Sequence, residues 1–491
     1  MTDSPKKYGH WIAGAWHDPE QGHYQITNPA TDEAVGYAPE GHAAEIWASA
    51  EAARTAFGDW SRTDPRQRAA ILERIGDLIT ERADELAPLV QAETGATMRA
   101  AKSVQIPAAA DHFRRYARAA LEPDTVPLAP HPATASPLAG GGLIGAAAVR
   151  RPLGVVACIT SSTFPIVNLA GKVAPALAMG NTVVAKPAPH GPLGCLALGP
   201  IMKEAGLPDG VFNVVTGSGP ITGEAVVAHY DIDMISFTGS TAVGKRIAVA
   251  AGGQMKRTLL ELGGKGAAIV LEDADEKAFK MAVTAVGLTF SFHSGQNYTT
   301  PTRMLVHRSL YEKAVAALTE HARALKVGSP VDNSTIVGPL ISAAQRDRVE
   351  EYVESARQQG ARVVAGGERP VLKPGFYFAP TVLADVTPDM TVAQEEIFGP
   401  VVVVIPFDDE DEAVRIVNGT PFGLHDYVFS GDTVRAWHLA SRLCSGNVGI
   451  NTVQRPPEAH FGGFKESGVG RHDGSFGLHA YSELQSVVWS S

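Results

Sequence analysis

Phe237-Thr238-Gly239-Ser240-Thr241-Ala242-Val243-Gly244-Lys245 closes the apolar run Met234–Phe237 and opens a helical pattern. Gly239 lets backbone approach a ligand closely. Ser240 and the free amides of a helix N-terminus can bind an anion, which suits a pyrophosphate, and Gly244 lies one turn further on. Outward from this turn, short β-branched runs alternate with helical segments from 150 to 270. The strand candidates are Val155–Ile159, Thr182–Ala185, Met234–Phe237 and Ala267–Leu271. Such βαβ alternation predicts an α/β fold built on a doubly wound parallel sheet. A second series, with strands near Met304–His307, Val401–Pro406 and Asn447–Asn451, predicts a second sheet of the same kind. Upstream, residues 43 to 92 read as amphipathic helices. Ile71, Ile75, Leu78 and Ile79 recur at helical spacing, and Asp64-Pro65 is a start signal.

A chain of 491 residues, 45% hydrophobic and 19% charged, can hold two or three domains with substantial cores. The net charge of −10, with acids and bases interspersed and no basic block, argues against nucleic acid as a partner. It fits an enzyme acting on small molecules. No apolar h-region and no stretch near the roughly 18 unbroken apolar residues of a membrane span are present, so the cytoplasm is the expected compartment. Cys158, Cys195 and Cys444 are far apart and form neither a disulfide nor a metal-ligand pattern, so no metal is expected. Cys158 sits in the apolar run Gly154–Ile159 and reads as core packing.

Several further segments carry chemistry. Glu261-Leu262-Gly263-Gly264-Lys265 sets a carboxylate beside two glycines that let it swing. Phe290-Ser291-Phe292-His293-Ser294-Gly295-Gln296-Asn297-Tyr298-Thr299-Thr300-Pro301-Thr302-Arg303 follows. Asn181–Pro189, Gly206–Val215, Glu395-Glu396-Ile397-Phe398-Gly399-Pro400 and Lys465–Arg471 complete the set. In this order, from about residue 10 to 489, they resemble the NAD(P)-dependent aldehyde dehydrogenase superfamily. The resemblance implies two Rossmann-like domains and a small β flap for oligomerisation. The dinucleotide domain is expected over 1–130 and 152–262, the catalytic domain over 263–475, and the flap over 131–151 and 476–491. The Gly-rich stretch Ala139–Gly145 is expected to leave the first domain and pair near Ser486–Trp489 in a homodimer or homotetramer.

For the cofactor, NAD or NADP, the resemblance implies Lys186 on the adenosine ribose. It implies Gly239, Ser240, Gly244 and Leu262 around the dinucleotide, Glu396 on the nicotinamide ribose, and Phe398 bracing the ring. Pro189 stands where an acid usually grips the ribose hydroxyls; without that carboxylate, repulsion against a 2′-phosphate is gone and NADP becomes admissible. Glu261 matches the family's general base, and Lys172 is retained.

Four positions depart from the family pattern: Tyr298, Thr163, His472 and Pro189. Tyr298 stands where the resemblance calls for the catalytic cysteine. Thr163 replaces the oxyanion asparagine, a loss worth about 10²–10³ in rate. His472 replaces an acid in the proton relay. A phenol titrates near 10 against roughly 8.5 for a thiol, and its oxygen reaches into the space of the substrate carbonyl. Covalent catalysis by Tyr298 is therefore discounted. The leading expectation is oxidation of an aldehyde, hydrated aldehyde or alcohol without a thioester. Tyr298 and Lys172 form the acid/base pair in that scheme, and Glu261 or His472 passes the proton onward. The alternatives are a catalytically silent dinucleotide-binding scaffold, and non-redox carbonyl chemistry with Glu261 as base. Gly171, where many relatives carry a large aromatic, predicts a roomier pocket. Arg455 can recognise a carboxylate, though a surface arginine is the plainer reading. His425-Asp426 and His293 are further residues of the same mouth and loop.

Overall fold

The computed structural model describes residues 5–138 and 140–490. At the centre of its first half lie five parallel strands in the order Arg257–Glu261, Met234–Thr238, Val155–Ile159, Thr182–Lys186, Phe212–Val214. Every residue of Val155–Ile159, Thr182–Lys186 and Met234–Thr238 is buried. Helices cover both faces of such a sheet, which explains why these strands read as unbroken apolar runs rather than alternating ones. The chain order runs outward from Val155–Ile159 in one direction, then restarts on its other side at Met234–Thr238. A reversal of this kind opens a crevice at the carboxyl ends of the strands. Register brings Ile159 beside Lys186 and Phe237, and Thr238 beside Glu261, all at that edge. Three antiparallel strands extend this sheet: His10–Ile12 and Ala15–His17 on one side, Gly468–Val469 on the other.

The second sheet has seven strands in the order Arg362–Ala365, Thr381–Ala384, Val401–Phe407, Arg303–His307, Ala267–Val270, His425–Phe429, Asn447–Ile450. All its pairings are parallel except that of Arg362–Ala365. Together the two sheets form the α/β architecture predicted from the alternating runs. Strand ends differ by a residue or so. Leu271 falls just past its strand, yet its N–H still donates to the Phe429 carbonyl at 3.0 Å. Asn451 also leaves its strand, in a left-handed conformation with φ 53°. The helix Pro65–Glu81 begins as Asp64-Pro65 predicts, with the Asp64 carboxylate accepting from the Arg66 amide at 2.7 Å.

A third, antiparallel sheet joins Thr125–Ala133, Gly142–Pro152 and Ser482–Ser490. Ser486 lies opposite Ala148, and Trp489 opposite Gly145. Ala139, where the Gly-rich excursion is expected to begin, lies outside the described residues. Pro127, Pro130 and Pro132 lie on the edge strand, the position where a missing N–H donor is tolerated. Among the described residues no helix is long and apolar enough to cross a membrane, and no group of His, Cys, Asp and Glu side chains is arranged to hold a metal ion.

Candidate active site

Two segments from different halves of the chain are fastened together at the crevice. Residues His293, Ser294 and Gly295 turn through left-handed conformations, and a Cβ at Gly295 would collide with the Gly399 carbonyl. A Cβ at Gly264 would lie 2.7 Å from the Tyr298 carbonyl oxygen, so glycine there lets the two backbones close up. Buried Arg303 completes the fastening. Its Nε donates to the Lys265 carbonyl at 2.9 Å, and its terminal nitrogens donate to the Ile416 and Val417 carbonyls. Tyr298 is thereby held over the end of the Arg257–Glu261 strand.

The Glu261 carboxylate is the hub of the arrangement. Its Oε2 accepts from Thr238 Oγ1 at 2.8 Å and from the Tyr298 hydroxyl at 3.4 Å, and lies 3.8 Å from Lys172 Nζ. Its Oε1 is 3.5 Å from His472 Nδ1. Burial pushes the Glu261 pKa up, but Lys172, His472 and the Thr238 hydroxyl outweigh it, so the carboxyl sits below its ordinary range. Burial and the facing Glu261 carboxylate both push the Tyr298 phenol well above 10. The phenol ring meets Phe461 edge to face, centroids 5.8 Å apart. Lys172 is buried and its Nζ has no hydrogen-bond partner, so the Tyr298 hydroxyl engages Glu261 rather than Lys172. The two expected partners meet only through the carboxylate.

His472 packs into the space expected to be open above Gly171. A Cβ on Gly171 would come within 3.0 Å of the imidazole Cε1, so the space beside this glycine is filled by His472 rather than open to a larger substrate. The ring is held by the Gly171 carbonyl at 2.6 Å from Nε2 and by Asp473 Oδ1 at 3.1 Å from Nδ1. Asp473 is ion-paired to Arg455, whose guanidinium lies over the Phe461 ring, 5.2 Å from its centroid. Arg455 is thus committed to the protein itself. Asp426 and His425 are likewise internal: Asp426 accepts from the Ala267 amide at 2.7 Å, and His425 stacks on Tyr427. His293 is buried against Phe164.

On the far side of Glu261 a cavity of about 840 Å³ runs over the strand ends. Thr163, Tyr298 and Glu261 line its inner part, Leu262, Glu396 and Phe398 one flank, and Gly239 and Ser240 the helix N-terminus. Lys186 and Pro189 line the outer part with Ser218, Glu224 and Arg246. Burial lowers the Lys186 pKa to about 8. Glu396 accepts the Gly264 amide at 3.1 Å, and burial raises its pKa. Phe398 is held in a left-handed conformation, φ 59°, with its carbonyl accepting from the Gln345 amide at 2.9 Å. Gly244 lies off the cavity and packs on Leu262, where a side chain would collide. A nest of amides, a buried ammonium and a carboxylate spaced along one trough match what a dinucleotide presents: anionic phosphates between two diol-bearing sugars.

No cysteine lines this cavity. Cys158 and Cys195 are buried in the core and Cys444 is exposed elsewhere. Motif reading picked out Glu261, Tyr298, Thr163, Leu262, Glu396, Phe398, Lys186, Gly239 and Ser240, and the fold brings all nine to one trough. Lys172 and His472 stand behind Glu261. Thr238, Gln345 and Asp473 were not singled out, because their partners become visible only in three dimensions.

A family model described as the aldehyde dehydrogenase family matches residues 16–487. A betaine aldehyde dehydrogenase of Brucella canis is 38% identical over 494 aligned residues, covering 99% of this chain and 98% of that protein. A 3-succinoylsemialdehyde-pyridine dehydrogenase of Pseudomonas is 37% identical, covering 97% of this chain and 98% of its own. The NAD+ complex of an aldehyde dehydrogenase from Bacillus cereus superposes with a TM-score of 0.92 at 37% identity, covering 99% of this chain and 96% of that one.

Proposed function

Because this chain belongs to the aldehyde dehydrogenase family of NAD(P)-dependent oxidoreductases, we propose that it oxidises an aldehyde as its hydrate, or an alcohol, without forming a thioester. One observation carries this reading: Glu261 and Tyr298 face each other at 3.4 Å in a cavity that no cysteine lines. Tyr298 stands where the family's motif calls for the thiol. Bound in the trough, the oxidised nicotinamide supplies the hydride acceptor. The chain's own residues manage the proton. Tyr298, neutral at any physiological pH, turns its single O–H from Glu261 to the substrate oxygen and orients it. Glu261, ionised, accepts the hydroxyl proton as the carbon–hydrogen bond breaks, and C=O forms in the product. A hydrate gives a carboxylic acid by this route, and an alcohol gives an aldehyde.

Lys186, the amides beyond Gly239 and Ser240, Leu262, Glu396 and Phe398 hold the dinucleotide in this scheme. Pro189 admits either NAD or NADP. Lys172 and His472 act behind Glu261. Thr163 offers one hydroxyl where the family pattern has an amide. Dimers or tetramers form through the three-stranded sheet, whose strand Ser482–Ser490 leaves Leu484, Val488 and Trp489 exposed. A cytoplasmic setting completes the reading.

The test is formation of reduced nicotinamide by the purified protein with NAD and NADP, across matched aldehydes and alcohols. The panel includes betaine aldehyde and an aromatic semialdehyde, after the relatives' names. Turnover that survives a thiol-blocking reagent is the expected result. Cofactor binding with no turnover on any substrate would sink the redox reading in favour of a silent scaffold.

A further inference from the structure

His472 has a hydrogen-bonded carbonyl at one ring nitrogen and two carboxylate oxygens close to the other. A carbonyl can only accept, so Nε2, 2.6 Å from the Gly171 oxygen, must carry a hydrogen. At the other nitrogen stand two carboxylates: Asp473 Oδ1 at 3.1 Å and Glu261 Oε1 at 3.5 Å. Both oxygens are buried and have no hydrogen-bond partner, so an unprotonated Nδ1 would set its lone pair against two unrelieved carboxylate charges, whereas a protonated one supplies the positive charge they face. A ring with both nitrogens protonated is an imidazolium.

We infer that His472 is a positioning residue charged at neutral pH, which holds the Glu261 carboxylate ionised and aimed at Tyr298 rather than carrying the substrate's proton away. This rests on the function proposed above and deepens it. The surrounding charges fit the assignment. From Lys172 inward to the mouth, the groups alternate in sign: Lys172, Glu261, His472, Asp473, Arg455. The facing helix Ile106–Ala119 contributes His112 and Tyr116, and its one nearby cation, Arg115, is held on the far side by His112 Nδ1 at 3.2 Å and by the Asp111 carboxylate at 2.8 Å. His112, its ring 6.0 Å from that of His472, is pushed by burial to a pKa of about 3 and stays neutral. Tyr116 is pushed by burial above its ordinary value and stays neutral as well. Burial alone would discharge His472, but Asp473 and Glu261 outweigh it, and its pKa is raised. A proton taken from Nδ1 would leave a lone pair facing two carboxylates, which makes this ring a poor acceptor from Glu261.

Two measurements test the inference. Nitrogen-15 NMR of histidine-labelled protein, with the resonance assigned by its loss in His472→Gln, reads the ring directly and needs no turnover. Two protonated ring nitrogens at neutral pH are expected; a single one overturns the inference whether or not the protein is an enzyme. The second is the pH profile of turnover in the same variant. Loss of the cation raises the Glu261 pKa, so the acid limb moves up by about 1–3 pH units while the cofactor Kd changes little. A plateau lowered at every pH, with the acid limb unmoved, would instead mark His472 as a proton carrier. Failure of the redox reading appears separately, as absence of turnover in the wild-type protein.

Discussion

The Tyr298 phenol and the Glu261 carboxylate face each other across 3.4 Å, with the Thr238 hydroxyl bonded to the same carboxylate oxygen at 2.8 Å. The carboxyl is held below its ordinary pKa and the phenol well above its own, so donor and acceptor are fixed in opposite protonation states. Paired groups driven apart in this way mark an acid/base assignment.

Tyr298→Phe removes only the hydroxyl and keeps the ring against Phe461. Turnover is expected to fall by about 10²–10⁴, the range for loss of one positioned acid/base group. Cofactor Kd, measured by fluorescence titration, is expected to stay within about twofold, since the hydroxyl's bond is to Glu261. An unchanged kcat would assign Tyr298 to filling space.

Glu261→Gln leaves the shape and removes the charge that two buried cations share. Turnover is expected to vanish. Stability is expected to drop as well, by about 3 kcal/mol, because Lys172 and His472 lose their common counter-charge inside the protein. Thermal unfolding of the wild type and the variant side by side checks this. Lost activity at full stability would mean that neither cation depends on Glu261.

The strands were legible because burial on both faces makes them continuous β-branched runs, as at Val155–Ile159 and Val401–Phe407. The edge strand Thr125–Ala133 was not, since three prolines erase its signal and its residues are almost all exposed. The trough was legible from motif order: Gly239 and Ser240 announce a helix start, and Glu396 and Phe398 keep a recognisable neighbourhood. What motif order could not give is which groups touch. Asp473 follows His472 in sequence, yet its part depends on a left-handed backbone, φ 62°, and on Arg455 arriving from another loop. Gly171 misled for the same reason, since the residue that fills its space lies 301 positions away.

Pro189 and Lys186 line the outer trough together, so the balance between NAD and NADP is expected to turn on charge there. Pro189→Glu is expected to weaken NADP binding by about 10–100-fold through repulsion of the 2′-phosphate, and to leave NAD binding equal or stronger. The Lys186 ammonium discharges near pH 8. Affinity for NADP is therefore expected to fall as pH rises through that value, more steeply than affinity for NAD. Calorimetric titration of both dinucleotides at pH values on either side of 8 separates the two curves. Parallel curves would place the 2′-phosphate away from Lys186.

Lys265 carries a different kind of strain. Its side chain is fully buried, its Nζ has no hydrogen-bond partner, and burial with nearby Arg303 lowers its pKa to about 7, against the partial support of Glu396. The folded state therefore releases a proton that the unfolded chain keeps. Unfolding free energy must rise with pH between about 7 and the ordinary lysine value near 10.4, and the penalty is complete below 7. Lys265→Met, close in volume and uncharged, is expected to stabilise the protein by about 1–4 kcal/mol at pH 6. The gain should shrink steadily toward pH 10 as the wild-type lysine becomes costless. Denaturant unfolding at a series of pH values reads both. A gain independent of pH would trace to packing, and a loss at pH 6 would show that the charged ammonium is held by a partner strong enough to offset its burial.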